Sequence, residues 1–439
     1  MKPKSRREML RQLGIGAAVL SVSPSNLLSA SALAKPLTGT SSSETSAQSE
    51  SGASSGGVLT GLDVLVQNDF APLRGRHVGL ITNQTGLSRD GKRNVDLMLA
   101  AGIKVHALFS PESGFWGKSE QAIIPNSVDP VTRLPIFSLY NGNVRRPTAE
   151  MLKGIDTLVF DIQDVGARFY TYNTTMTYAM EEAARLHLSF YVLDRPNPIT
   201  GNHVEGPVLD KDLESFVGCA RVPIRHGLTL GEFAQFVNGQ QGLGADLHVV
   251  RMNGWRRSDW WDETDLTWID PSPQMTSLPE ALLYPGICLL QGTPNFSVGV
   301  GTRVPYQQVG ADWLDARKLA GFLNARAIPG VRAYPTRLHP SFSLYPGKTL
   351  NFAGKTISGV RFVVTDRDRF NSVRLGLEII HALEKLYPGK INVDVNKILI
   401  GSASVVAALQ SSQEPEAIER SYRPALLRFM QTRDKYLLY

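Results

Sequence analysis

Past residue 57 the chain alternates two kinds of pattern. Residues 77–82 (HVGLIT), 104–109, 136–139, 155–162 (IDTLVFDI) and 189–193 are short apolar runs rich in β-branched and aromatic side chains. Such runs, apolar at nearly every position, suit strands buried on both faces of a parallel sheet. Between them, residues 93–101 and 174–186 carry apolar stripes at helical spacing, and 147–153 reads as a short helix with Pro147 in its first turn. Strands alternating with helices predict an α/β fold with a Rossmann-like, mostly parallel sheet.

The pattern loosens beyond Asp210. Residues 229–237 read as a helix, with Thr229 as N-cap and Glu232 at the capping-box spacing. Residues 270–309, rich in Pro and Gly, read as a long irregular loop of the kind that serves a site or a lid. From Trp313 the α/β pattern resumes, with a strand over 359–365 and an amphipathic helix over 373–386. We divide the chain into 58–245, the Rossmann-like domain, and 246–439, a smaller α/β domain.

The polar residues at the strand ends form the candidate site. Asn83, Glu112, Tyr140, Asp161, Asp164 and Asp194 each lie just past a predicted strand. In a parallel sheet those ends share one edge, where ligands of open α/β folds bind. Gln163, Arg168, Tyr170 and Tyr172 crowd the same point after 155–162. Any one Asp or Asn is equally a turn former, but the set points to a carboxylate-rich cleft. The first strand is followed by NQTG rather than G-x-G-x-x-G, so no dinucleotide is expected. No His accompanies Asp161 and Asp164 at ligand spacing, so no metal or other cofactor is expected. His226 serves either a site or a turn. Trp255, Trp260, Trp261 and Trp268 serve either sugar stacking or the core.

Composition adds the compartment. With 42% hydrophobic and 20% charged residues the chain reads as an ordinary globular protein. The formal net charge of +6 is concentrated at the start, where Lys2, Lys4, Arg6, Arg7 and Arg11 face only Glu8. The remainder is too weakly basic for a nucleic-acid surface. Arg6-Arg7, an apolar run from Leu13 to Val22 and Ala32-Leu33-Ala34 read as a twin-arginine export signal over 1–34. A Ser/Gly-rich linker over 35–57 follows. The expected location is periplasmic or secreted, with no stable membrane anchor after cleavage. Cys219 and Cys288 form either a disulfide or two buried thiols.

The chain carries 79–86 (GLITNQTG), 108–117 (LFSPESGFWG), 160–172 (FDIQDVGARFYTY), 193–198 (LDRPNP), 204–209 (VEGPVL), 215–218 (SFVG), 223–231 (PIRHGLTLG), 270–273 (DPSP), 284–286 (YPG) and 292–302. Together these stretches resemble the exo-β-N-acetylmuramidase (NamZ-type) glycoside hydrolases. The resemblance implies a smaller C-terminal domain closing over the cleft. It also implies release of N-acetylmuramic acid from the non-reducing ends of peptidoglycan fragments, in cell-wall turnover and recycling. Glu112, in the position of the Glu of the family's Pro-Glu-His-Gly motif, becomes the expected catalytic acid. Glycoside hydrolysis needs a partner carboxylate across the ring, and Asp161 or Asp164 is the candidate. An N-acetyl substrate also offers its own amide as nucleophile, with an Asp orienting it. Arg168 or Arg195 suits the lactyl carboxylate of muramic acid through a bidentate fork; the alternative for Arg168 is a salt bridge to Asp161 or Asp164. Asn83, Ser113, Tyr170, Tyr172, Asp194, His226 and Gln291 complete the expected binding surface. The chain departs from the family pattern at Ser113 (His), Gln274 (Asn), Gln291 (Glu) and Val300 (Arg), with an apparent extra Pro294. Those departures leave two further readings open, a non-catalytic muropeptide-binding protein and a glycosidase acting on another glycan.

Overall fold

A computed structural model describes residues 57–121, 123–341 and 350–439. The export segment 1–34 and nearly all of the linker lie outside the described residues. The strands of the large sheet are β1 (His77–Thr82), β2 (Lys104–Ser110), β3 (Ser127–Val128), β4 (Pro135–Ser138), β5 (Thr157–Asp161), β6 (Ser189–Leu193) and β7 (Asp246–Val250). They lie in the order β3-β4-β2-β1-β5-β6-β7. All neighbours run parallel except β3, which pairs antiparallel with β4. Every residue of β5 and β6 is buried, which is why both read as unbroken apolar runs. The chain moves outward from β1 through β2 and β4, then returns to β5 on the other side of β1. That reversal makes the loops after β1, β2 and β5 the walls of the sheet's natural crevice.

The helices packed on this sheet include α1 (Gly61–Gln67), α2 (Asn94–Ala100), α3 (Tyr172–Arg185) and α4 (Leu230–Gln241). The capping box expected at Thr229 is formed: its hydroxyl accepts from the Glu232 N–H at 3.2 Å, and the Glu232 carboxylate accepts from the Thr229 N–H at 3.0 Å. The smaller unit holds α5 (Leu278–Ile287), β8 (Gln308–Ala311), α6 (Ala316–Ala325), β9 (Val331–Leu338), β10 (Ile357–Val364) and α7 (Ser372–Leu386). Its strands form an antiparallel sheet in the order β8-β10-β9. Helices α5 and α7 cross at glycine: a Cβ on Gly376 would lie 2.5 Å from the Gly286 carbonyl oxygen, so only hydrogen fits.

The sequence expectation differs from the structure in three elements. Residues 147–153 form turns rather than a helix, because one isolated turn does not offset the cost of nucleation. Residues 270–309 contain α5, which runs through Pro285 and carries Pro279 in its first turn. Asp246–Val250, assigned to the second domain, is instead the edge strand of the large sheet. The domain division therefore lies beyond it. Trp255, Trp260 and Trp261 are buried, and Cys219 and Cys288 are buried free thiols. No described helix is long and apolar enough to cross a membrane.

Candidate active site

The loop after β2 turns sharply at Ser113 and Gly114, which take φ values of 71° and 77° in the left-handed region. A serine there is uncommon and strained relative to glycine. The turn sets Glu112, half-buried, on the wall of a small pocket of about 30 Å³. Glu112, Ser113, Glu120, Tyr170, Thr171 and Tyr172 line one side; Ser272, Gln274, Met275, Tyr284 and Tyr306 line the other. The Thr171 hydroxyl donates to Glu112 Oε2 at 2.6 Å. The Tyr172 hydroxyl donates to the Pro271 carbonyl at 2.5 Å and stands 3.4 Å from the Glu112 backbone oxygen.

The four tyrosines meet edge to face, with ring centroids 5.0 Å apart for Tyr170 and Tyr172, 5.8 Å for Tyr170 and Tyr284, and 4.7 Å for Tyr284 and Tyr306. Burial holds the Tyr170 and Tyr172 phenols well above their ordinary range, so both remain neutral hydrogen-bonding groups. Gln291 sits behind this wall, its Oε1 accepting from the Tyr306 hydroxyl at 3.3 Å and the Cys288 thiol at 2.9 Å. Gln274 accepts from the Gly301 N–H at 3.3 Å and so ties the loop carrying Val300 to the pocket.

The remaining candidates sit elsewhere on the same sheet edge. Asp161 is fully buried between Arg195 Nε at 2.6 Å and Asn94 Nδ2 at 2.8 Å. Both its oxygens are engaged, so it scaffolds the strand ends rather than facing the Glu112 pocket. Asp194 accepts from the Arg195 and Gly231 N–H groups and from the Thr229 and Tyr439 hydroxyls. It thereby caps α4; burial pushes its carboxyl up to about 7 against the Thr229, Gly231 and Tyr439 donors. Asp164 accepts from the Gly166 N–H at 2.8 Å, while its Oδ2 meets no donor with hydrogen-bond geometry among the described residues. Burial pushes this carboxyl up to about 7 as well, in a small cavity walled by Ile162, Asn197 and Leu230. Asn83 spends its Oδ1 on the Thr85 N–H and hydroxyl, and it lies near the Tyr172 hydroxyl.

Arg168 forms neither the lactyl fork nor a salt bridge to Asp161 or Asp164. It is 1% exposed and donates to the carbonyls of Pro207, Val222, Leu399 and Ile400. It is a buried strut joining the large sheet's loops to the C-terminal segment. Arg195, the other candidate fork, is the partner of Asp161. His226 is fully buried; its Nδ1 accepts from the Leu228 N–H at 3.1 Å, and burial lowers its pKa to about 3. It is therefore a neutral turn histidine.

The structure thus brings Glu112, Ser113, Tyr170 and Tyr172 together, with Asn83 and Gln291 close behind. Sequence reasoning missed Glu120, Thr171, Tyr284 and Tyr306. Thr171 lies between two chosen tyrosines, and Tyr284 lies in a quoted motif. Glu120 follows Glu112 by one short loop, but no periodicity marks it.

Half-buried carboxyl groups among tyrosines and hydroxyls, between a Rossmann-like sheet and a second α/β unit, define a two-domain carbohydrate-active hydrolase. The chain belongs to the exo-β-N-acetylmuramidase NamZ family: the family's N-terminal domain matches residues 78–279 and its C-terminal domain matches 282–439. It is a glycosidase of that family. It is 40% identical over 387 residues to the peptidoglycan β-N-acetylmuramidase NamZ of Bacillus subtilis (strain 168), covering 87% of this chain and 91% of that one. Two crystal structures of DUF1343 family proteins from Bacteroides fragilis NCTC 9343 share the fold. One has a TM-score of 0.80 at 35% identity, the other 0.71 at 28%, and each comparison covers 87% of this chain and 99% of theirs.

Proposed function

We propose that the Glu112 pocket removes N-acetylmuramic acid from the non-reducing ends of peptidoglycan fragments, outside the cytoplasm and in cell-wall turnover. The observation that carries the site assignment is the Glu112 carboxyl itself. It lies at the carboxyl edge of the sheet and is held by a neutral hydroxyl. A second carboxyl, Glu120, lines the same pocket. Hydrolysis then proceeds with Glu112 giving its proton to the glycosidic oxygen as the C–O bond breaks. Glu120 supplies the second carboxylate: it takes a proton from the water whose oxygen bonds the anomeric carbon, and passing that proton back to Glu112 restores both groups. The neutral phenols of Tyr170 and Tyr172 and the Ser113 hydroxyl offer hydrogen bonds to the sugar without competing for that proton. A chromogenic N-acetylmuramide tests this reading. Wild type releases chromophore, and Glu112→Gln and Glu120→Gln each lose most of the rate while remaining folded. Export rests on Arg6-Arg7 and Ala32-Leu33-Ala34. Replacing both arginines with lysine blocks accumulation outside the cytoplasm if the route is twin-arginine; undiminished export contradicts it.

A further inference from the structure

Gln84, in the loop after β1, contacts both segments that wall the Glu112 pocket without lining the pocket itself. It is partly buried, and its Nε2 donates to the Asp270 carbonyl at 2.7 Å and to the Pro271 carbonyl at 3.2 Å. The chain there is neither strand nor helix, and those two carbonyls accept no backbone N–H among the described residues. The Pro271 carbonyl also accepts from the Tyr172 hydroxyl, which stands 3.4 Å from the Glu112 backbone oxygen. Ser272, Gln274 and Met275, just beyond Pro271, line the side of the pocket opposite Glu112.

The same amide meets the Glu112 loop. Gly117 closes the turn that carries Glu112, its N–H donating to the Gly114 carbonyl at 3.1 Å. A Cβ on Gly117 would overlap the Gln84 amide, so the Gly117 backbone lies directly against it. Gln84 therefore touches the Glu112 loop on one side and the Asp270–Pro271 segment on the other.

The chemistry of the amide shows which end matters. Its nitrogen carries two N–H groups, one for each carbonyl. Gln84 Oε1 is buried with no partner among the described residues. Burying an unpaired acceptor is costly, and a methionine of the same reach would avoid it. The two donor bonds offset that cost.

We propose that Gln84 is a positioning residue for the reaction. It sets the Ser272–Met275 wall against the Glu112 loop, and so the fit of the sugar, without touching substrate. The inference rests on the reading of the Glu112 pocket given above. The pocket is narrow, so a small outward shift of that wall loosens the hold on the sugar.

Steady-state kinetics on a chromogenic N-acetylmuramide test this with Gln84→Met, which keeps the reach and removes the donors. KM is expected to rise about twofold to tenfold, the effect of a net hydrogen bond between neutral groups, with kcat near wild type. A side chain that only supports folding would instead reduce the active fraction, lowering kcat at unchanged KM, and that result overturns the proposal. Gln84→Glu adds a pH readout. Its neutral carboxyl keeps one O–H donor, whereas its carboxylate would face two carbonyl oxygens. The ratio of its KM to that of wild type is expected to climb between about pH 5 and 8, while the ratio for Gln84→Met stays flat. A wild-type KM in Gln84→Met, or a Gln84→Glu ratio that does not change with pH, overturns the proposal. Glu112→Gln turning over at the wild-type rate indicts the pocket reading instead. Amide hydrogen exchange then reads the clamp without substrate: faster exchange at Ser272, Gln274 and Met275 in Gln84→Met supports it, and unchanged exchange overturns it.

Discussion

The Thr171 hydroxyl and the Glu112 carboxyl are joined by a 2.6 Å hydrogen bond between chain segments 59 residues apart. Glu112 comes from the loop after β2, and Thr171 is the residue at which α3 begins. Their contact spans the crevice created where the chain reverses across β1, and it fixes which way the carboxyl faces.

Removing that hydroxyl tests its role. A hydrogen bond between neutral groups contributes about 0.5–1.5 kcal/mol, so Thr171→Val is expected to lower kcat/KM by about twofold to tenfold. Thr171→Ser, which keeps the donor, should retain most activity. Steady-state kinetics on both variants, with thermal melts as a folding control, check the pair. Equal rates for Val and Ser would show that the hydroxyl does not position Glu112.

Arg168 separates a structural from a substrate-binding role. It donates to four buried carbonyls from two parts of the chain. Arg168→Met leaves those acceptors unpaired, and the expected loss is on the order of 3 kcal/mol of stability. Denaturant unfolding measures that loss. A variant of wild-type stability with a selectively raised KM would return Arg168 to the binding surface.

Two buried groups give the stability opposite pH slopes. The Asp164 carboxyl is raised from 3.8 to about 7 on folding. Between those values the folded chain holds a proton that the unfolded chain has lost, so this group's contribution falls as pH rises through about 7. His226 is lowered from 6.5 to about 3. The unfolded chain there binds the extra proton, so this contribution is present above pH 6.5 and is lost as pH falls toward 3. Asp164→Asn, neutral throughout, should gain in melting temperature over wild type as pH goes from about 5 to 8. A constant difference across that range would contradict the buried, protonated carboxyl. The His226 ring protons should show no titration in NMR between about pH 5 and 8.

Much of the large sheet was legible because strands buried on both faces have no polar alternation to blur them, as in 157–161 and 189–193. β7 was missed because it is an edge strand whose outward residues, Asp246 and His248, are exposed. Helix α5 was hidden by two prolines that the pattern reads as breaks, although one lies in the tolerated first turn. At the site, strand ends correctly pointed to one edge but could not show which carboxylates face a pocket. Asp161 and Asp194 carry the same side chain and the same position after a strand as a catalytic Asp would. Only their tertiary donors, Arg195 and Asn94 for one and Thr229, Gly231 and Tyr439 for the other, mark them as scaffold. Glu120 was missed for the converse reason: it lies in an irregular loop, and only folding brings it beside Glu112.

The central claim is that Glu112 is the acid of a muramidase. Its most direct test is the rate of N-acetylmuramic acid release from peptidoglycan fragments by wild type and by Glu112→Gln, which keeps the shape and removes the transferable proton. Loss of a general acid costs about a hundredfold to ten-thousandfold, with the melting temperature little changed. Release by Glu112→Gln at the wild-type rate would place the acid elsewhere and contradict the account.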